Sequence, residues 1–191
     1  LRCFDNGNIT HVDGSIDPVR DKGIIDTELQ LKDLETVENR LAKTQKQATS
    51  GGDKQAKRAV ERPLQYKAVL EQAISARTVE HDKEDRKLVA DLNLLTDKPV
   101  LYVCNVDEKS AATGNAYTEA VRAAIADERA EMLVIAAATE ADIAELEEYD
   151  ERQMFLEEIG LQESGVARLI KSAYKLLDLQ TFFTTGADET R

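Results

Sequence analysis

The chain has no tryptophan, two cysteines, two histidines and three prolines in 191 residues. Two cysteines cannot build a disulfide scaffold, so the fold must rest on packing. Cys3 and Cys104 each stand near the end of an apolar run and lack metal-ligand spacing. They read as small buried hydrophobes, reduced as in a cytosolic (cytoplasmic) protein. His81 lies between Glu80 and Asp82 and reads as solvated. No metal site is expected. No apolar run approaches the roughly 20 residues that cross a bilayer, so no membrane partner is expected. Leu1-Arg2-Cys3-Phe4 has neither the basic start nor the apolar stretch of a signal peptide. A chain opening on Leu rather than Met is expected to be a piece of something longer.

What is present is charge. Charged residues make up 32% and hydrophobic residues 42%, with a net charge of -12. Such a balance argues against general nucleic-acid affinity. Its distribution is uneven. Between Arg40 and Lys67 stand eight basic residues against the acids Asp53 and Glu61, a net +6 that leaves -18 elsewhere. A basic projection on an acidic body suits one local contact with a polyanion. It also suits a solvated helix face.

Asp17-Pro18 predicts a helix start, with Asp as cap and Pro in the first turn. The helix should run to about Ala48, with Leu31, Leu34, Val37 and Leu41 as its apolar stripe. Ser50-Gly51-Gly52-Asp53 breaks it, and a second helix should follow from Lys54 to about Ala76. Its apolar side reads as Val60, Leu64, Ala68, Val69 and Ile74, with a kink or break at Pro63. Two long helices joined by a glycine turn make an antiparallel hairpin. Around it, strands are expected at residues 1–4, 99–104, 132–137 and 181–184. Helices are expected at 114–128, 139–147 (capped by Thr139), 150–158 and 164–177. This order implies an α/β fold with a parallel sheet and a helical insertion. So thin a sheet would have open edges, which predicts further strands upstream.

The apolar run Pro99-Val100-Leu101-Tyr102-Val103-Cys104 leads into Asn105-Val106-Asp107-Glu108. Open α/β sheets bind ligands beyond the carboxyl ends of their strands. There an Asn amide offers a purine edge one donor and one acceptor, and a carboxylate can accept from an amino group on the base. A polar strand-ending turn accounts for the tetrapeptide equally well. No G-x-x-x-x-G-K-[ST] phosphate loop occurs anywhere in the chain. Ser50-Gly51-Gly52 lacks the strand before it and the Lys-Ser/Thr after it.

Several segments in one order resemble the YchF (Obg-like) ATPases, a branch of the translation-factor-related P-loop nucleotide hydrolases. They are Arg2-Cys3-Phe4, Ile9-Thr10-His11-Val12, Asp17-Pro18, Gly51-Gly52-Asp53-Lys54, Leu94-Leu95-Thr96-Asp97-Lys98-Pro99-Val100 and Leu177-Asp178-Leu179-Gln180-Thr181-Phe182-Phe183-Thr184. The resemblance implies a partial parallel-sheet G-domain with an inserted antiparallel coiled-coil hairpin. Residues 1–38 would close the first G-domain segment and 39–93 would form the insertion. Residues 94–178 would form the second segment, and 179–191 would begin a TGS domain. The phosphate loop and the Mg2+ ligands would lie upstream. Related GTPases use Asn-Lys-x-Asp, whose Asp takes two hydrogen bonds from guanine. Here Val106 and Glu108 replace Lys and Asp. The resemblance therefore implies ATP before GTP, with Asn105 on the adenine edge and Val106 and Phe4 flanking its faces. Phe4 as a plain core aromatic remains open. By the same resemblance His11 would orient or deprotonate the attacking water. The parent would be a cytosolic ATP hydrolase meeting a ribosome or ribosomal RNA through the basic hairpin 40–67, and this piece alone would be inactive. The competing reading is a non-catalytic helical-hairpin module that binds protein or RNA.

Overall fold

Asp17 and Pro18 start the first helix as their chemistry dictates: the Asp17 carboxylate accepts from Val19 N–H at 3.1 Å, and Pro18 needs no donor there. The helix, α1, runs Pro18–Ala48. The computed structural model describes residues 1–48, 54–80, 82–183 and 185. The expected glycine turn at 50–53, His81 and Thr184 lie outside the described residues. The order continues with α2 (Lys54–Leu70), α3 (Lys83–Val89), β1 (Val100–Asn105), α4 (Ala116–Ala124), β2 (Ala130–Ile135), α5 (Ala137–Glu145), α6 (Tyr149–Glu158) and α7 (Gly165–Leu176). The fold is α/β, with a two-stranded parallel sheet and seven α-helices among the described residues. Two compact units divide the chain: 1–19 with 100–191, and Arg20–Pro99.

The Arg20–Pro99 unit packs Val37 and Leu41 of α1 with Tyr66 and Leu70 of α2, and with Ala76, Val89, Leu92 and Leu94. This corrects the expected faces. Leu31 is 61% exposed and Leu64 and Ala68 are also exposed, whereas Pro63, Tyr66 and Leu70 are buried. The buried row steps by three and four residues from Pro63, and the Tyr66 ring supplies the bulk that Leu64 was expected to give. Pro63 sits inside α2 without ending it. The helix instead stops at Leu70. Ala73 turns left-handed at φ 56, and Ile74 N–H and Ala73 N–H close back on Val69 O and Leu70 O.

A buried carboxylate ties this unit together. Asp33 of α1 is 2% exposed and accepts from Leu95 N–H, Thr96 N–H and the Thr96 hydroxyl, each at 2.7 Å. The Thr96 oxygen in turn accepts from Ala76 N–H at 2.9 Å. Three donors on one carboxylate replace the water it lost on burial. Arg62 of α2 holds Asp85 of α3 at 2.5 Å.

In the other unit β1 and β2 pair in register from Val100 with Ala130 to Asn105 with Ile135. β2 begins and ends two residues earlier than expected. Tyr102, Cys104 and Val106 face a core with Cys3, Val121, Ile125 and Ala136. Ala124, expected inward, is exposed. Thr139 lies inside α5 rather than at its cap. Residues 181–183 form no strand.

Two outcomes follow for stability. Asp33→Ala should lower unfolding free energy by about 3 kcal/mol, because the buried Thr96 N–H and hydroxyl and the partly buried Leu95 N–H lose their acceptor. Asp33→Asn should cost nearly as much, since its amide would turn a donor toward donors. Urea midpoints measure both. Tyr66 is 1% exposed, and burial, aided by the Asp97 charge, pushes its phenol up to about 12. An unfolded tyrosine ionises near pH 10. The folded protein therefore keeps a proton that the unfolded chain gives up. This stabilisation is whole below pH 10 and is lost, by up to about 2.7 kcal/mol, as pH rises toward 12. Tyr66→Phe should flatten that part of the stability–pH curve.

Candidate functional site

β1 delivers Asn105 to the carboxyl rim of the sheet, where its main chain is held on both sides. Asn105 N–H donates to Leu1 O and Asn105 O accepts from Cys3 N–H, both at 2.8 Å, so residues 1–3 run parallel beside β1. On the other side lies β2. The half-buried Asn105 side chain spans the rim: its Oδ1 accepts from Ala137 N–H at 2.9 Å. Ala137 opens α5, and the preceding Ala136 has no side-chain oxygen to cap it. Asn105 thus supplies from β1 the acceptor that α5 lacks locally. Oδ1 is thereby committed, and among the described residues nothing accepts from Asn105 Nδ2. A donor is left at the rim.

Val106 follows with its side chain 4% exposed in the core and its N–H on Ile135 O at 2.9 Å. Asp107 is engaged, accepting from Ser110 N–H at 3.0 Å. Glu108 is exposed. Of the tetrapeptide, an amide donor, the exposed Glu108 carboxylate and the second oxygen of Asp107 remain for a ligand.

Phe4 is half-buried, with the Arg2 guanidinium 5.0 Å from its ring centre. Beside it Asp5 accepts from the Tyr117 hydroxyl at 3.1 Å, and that bond pushes the Tyr117 phenol up. Asn115 caps α4 and donates from Nδ2 to Cys3 O at 2.7 Å. Gly114 before it has φ +74, and a Cβ there would meet Thr118 Oγ1 at 2.5 Å. The hydrogen bond between the two thiols, with burial adding to it, raises Cys3, so it stays a thiol. His11 sits apart in its own turn: Nδ1 accepts from Asp13 N–H at 3.2 Å and its carbonyl from Gly14 N–H at 3.0 Å.

The chain is 47% identical over its whole length to a ribosome-binding ATPase YchF of Bacillus subtilis, of which it covers 52%. It is 36% identical over its whole length to Obg-like ATPase 1 of Rattus norvegicus, covering 49%. A solved structure of the Schizosaccharomyces pombe YchF GTPase superposes on all of the chain with TM-score 0.87 at 27% identity, over 52% of that protein. The chain belongs to the YchF/Obg-like ATPase family. It spans about half the length of the curated relatives it matches. No family model matches it.

Within this YchF-type chain the structure gathers Phe4, Asn105 and Val106 around the short 1–3 segment and keeps His11 in a separate turn. Sequence reasoning missed Arg2, Asn115 and Glu140. Asn115 stands just before a helix after a glycine, a cap signal that was there to read. Glu140 of α5 accepts from Gly165 N–H at 2.6 Å and so receives the start of α7. A Cβ at Gly165 would come 2.8 Å from Glu140 Oε1, so any larger residue there would have to displace that carboxylate. Nothing local in the sequence announces that pairing. α7 leaves Val166, Ile170 and Tyr174 exposed. Among the described residues no helix is long and apolar enough to cross a membrane.

Proposed function

We propose that the protein carrying these residues is a cytoplasmic, ribosome-associated nucleotide hydrolase that binds a purine nucleotide, ATP before GTP. One observation carries the reading. The Asn105 amide stands at the carboxyl rim with Oδ1 locked on Ala137 N–H and Nδ2 left to donate, in a chain closely similar to a ribosome-binding ATPase. Nδ2 would donate to a ring nitrogen of adenine and Glu108 would accept from its exocyclic amino group. Phe4 would lie against one face. Val106 would back the ring from the core. A glutamate one methylene longer than aspartate is misplaced for the guanine fork, which favours adenine. Bound Mg2+ would neutralise phosphate charge; no described residue is proposed as its ligand. His11, from its turn, would orient the attacking water.

The second contact is with ribosomal RNA. In this reading α1 and α2 form the antiparallel coiled-coil hairpin inserted in the G-domain, with TGS residues beginning near 179. The ion pairs narrow where its charge can act. Arg40 is held by Asp91, Arg62 by Asp85, and Lys67 by Glu38 and Glu71. The exposed cations Lys43 and Arg58 lie nearer the break between the helices, with Lys46, Lys54 and Lys57 beside them in sequence. Phosphates would meet that end. A purely non-catalytic hairpin module is disfavoured by the relatives' names.

Asn105→Asp separates structure from recognition. It keeps the acceptor for Ala137 and adds a negative charge at a helix N-terminus, so stability should hold or rise. It replaces the Nδ2 donor, so ATP affinity of the full-length protein should fall at least about tenfold by calorimetry. Unchanged affinity would sink the base contact. For the hairpin, reversing Lys54, Lys57 and Arg58 to Glu should weaken ribosome co-sedimentation. It should also make the salt dependence shallower, by roughly 0.7–0.9 in slope for each phosphate that is no longer neutralised. Identical salt curves would remove the hairpin from the interface.

A further inference from the structure

We infer that Arg2 is a positioning residue for the purine ring, acting through Phe4; this rests on the reading that Phe4 flanks the base. Three N–H groups of its guanidinium are spent on carbonyls of one short loop. Nε donates to Phe4 O at 3.2 Å, one terminal nitrogen to Ile9 O at 3.0 Å and the other to Asn6 O at 3.3 Å. The same planar group lies 5.0 Å from the centre of the Phe4 ring. The residue that pins the loop is also the cross-strand partner of Asn105. Paired residues of neighbouring strands project to the same side of a sheet. The residue proposed to read the base edge and the residue that sets the loop bearing Phe4 are thus fixed to one another by the sheet.

The chemistry suits arginine alone. A guanidinium offers a rigid fork of donors and a flat face that stacks on an aromatic ring, whereas lysine offers a single rotatable point charge. With one face of Phe4 against the cation, the ring has its other face for a purine. Beyond Arg2 the loop 4–9 is held by Ile9 N–H on Asn6 O at 3.1 Å, Asn8 N–H on Asn6 Oδ1 at 2.9 Å and the exposed Tyr117 hydroxyl on Asp5 at 3.1 Å, none of which engages Phe4 itself. Phe4 therefore depends on Arg2 for its place, and removing Arg2 would be felt at the base and not at the phosphates.

The test uses the full-length protein with two probes, ATP and inorganic tripolyphosphate, which has the charge and no ring. Arg2→Met and Phe4→Ala should each weaken ATP about tenfold and leave tripolyphosphate unchanged. The double variant should be no worse than Phe4→Ala, because both act through one contact. Arg2→Lys should behave like Arg2→Met. Without any nucleotide, amide exchange at residues 5–9 should quicken in Arg2→Met, which shows the loop released in a folded protein. The proposal falls if Arg2→Lys binds ATP normally, if the double variant is additive, or if tripolyphosphate binding drops in parallel. An Arg2→Met protein that binds ATP normally while Phe4→Ala does not would overturn the role of Arg2 and leave the base reading standing. If Phe4→Ala and Asn105→Asp both bind ATP normally, the base reading falls and Arg2 falls with it.

Discussion

A single hydrogen bond, from Ala137 N–H to Asn105 Oδ1, joins the end of one strand to the start of the helix after the other. Everything at the sheet's rim is arranged around it. The bond satisfies an N–H that α5 cannot cap locally, because the residues there are Ala136-Ala137-Ala138. It also fixes which way the amide faces: once Oδ1 is turned to a donor, Nδ2 must point elsewhere. A structural need thus orients the amide that the proposed reading assigns to the base. The Asn105 main chain, bonded to Leu1 and Cys3, holds the same residue from the other side.

The helical unit solves an equivalent problem with a charge. Asp33 gathers three donors from a loop that has no secondary structure to satisfy them. A carboxylate accepts from several directions at once, where an amide accepts from one side only. Both units therefore use a side chain from a regular element to complete hydrogen bonding that the receiving segment cannot complete itself, a helix start in one and a loop in the other.

Local signals made much of this legible. Asp17-Pro18 marked the start of α1, and the apolar run before Asn105 marked β1 to within a residue. What failed was contact-dependent. The buried row of α2 runs through Pro63 and Tyr66 because of what packs against it, and helical period alone cannot choose between that row and one carrying Leu64. The end of α2 was missed because its left-handed residue is Ala73, not glycine; α7 closes in the same way on Asp178, while α6 does so on Gly160. At the site, the Asn105 position could be read from its place after a strand. Its bond to Ala137 and the reach of Arg2 to Ile9 join residues far apart or in loops without period, so no pattern in the chain encodes them.

The electrostatics of the rim decide which part of a nucleotide these residues can serve. Helix N-termini are natural phosphate sites, but several here are already claimed. α4 is closed by the Asn115–Thr118 capping box, and the first N–H groups of α7 are taken by Glu140 and Ser164. The first N–H of α5 is on Asn105. What remains is a neutral amide donor, the exposed carboxylate of Glu108 and the second oxygen of Asp107, on a body whose charge outside residues 40–67 is strongly negative. A carboxylate at that rim accepts well from an amino group on a ring and repels a triphosphate. In the proposed reading, the acid that would accept from the base would also repel the phosphates, so positive groups placed elsewhere would have to grip them.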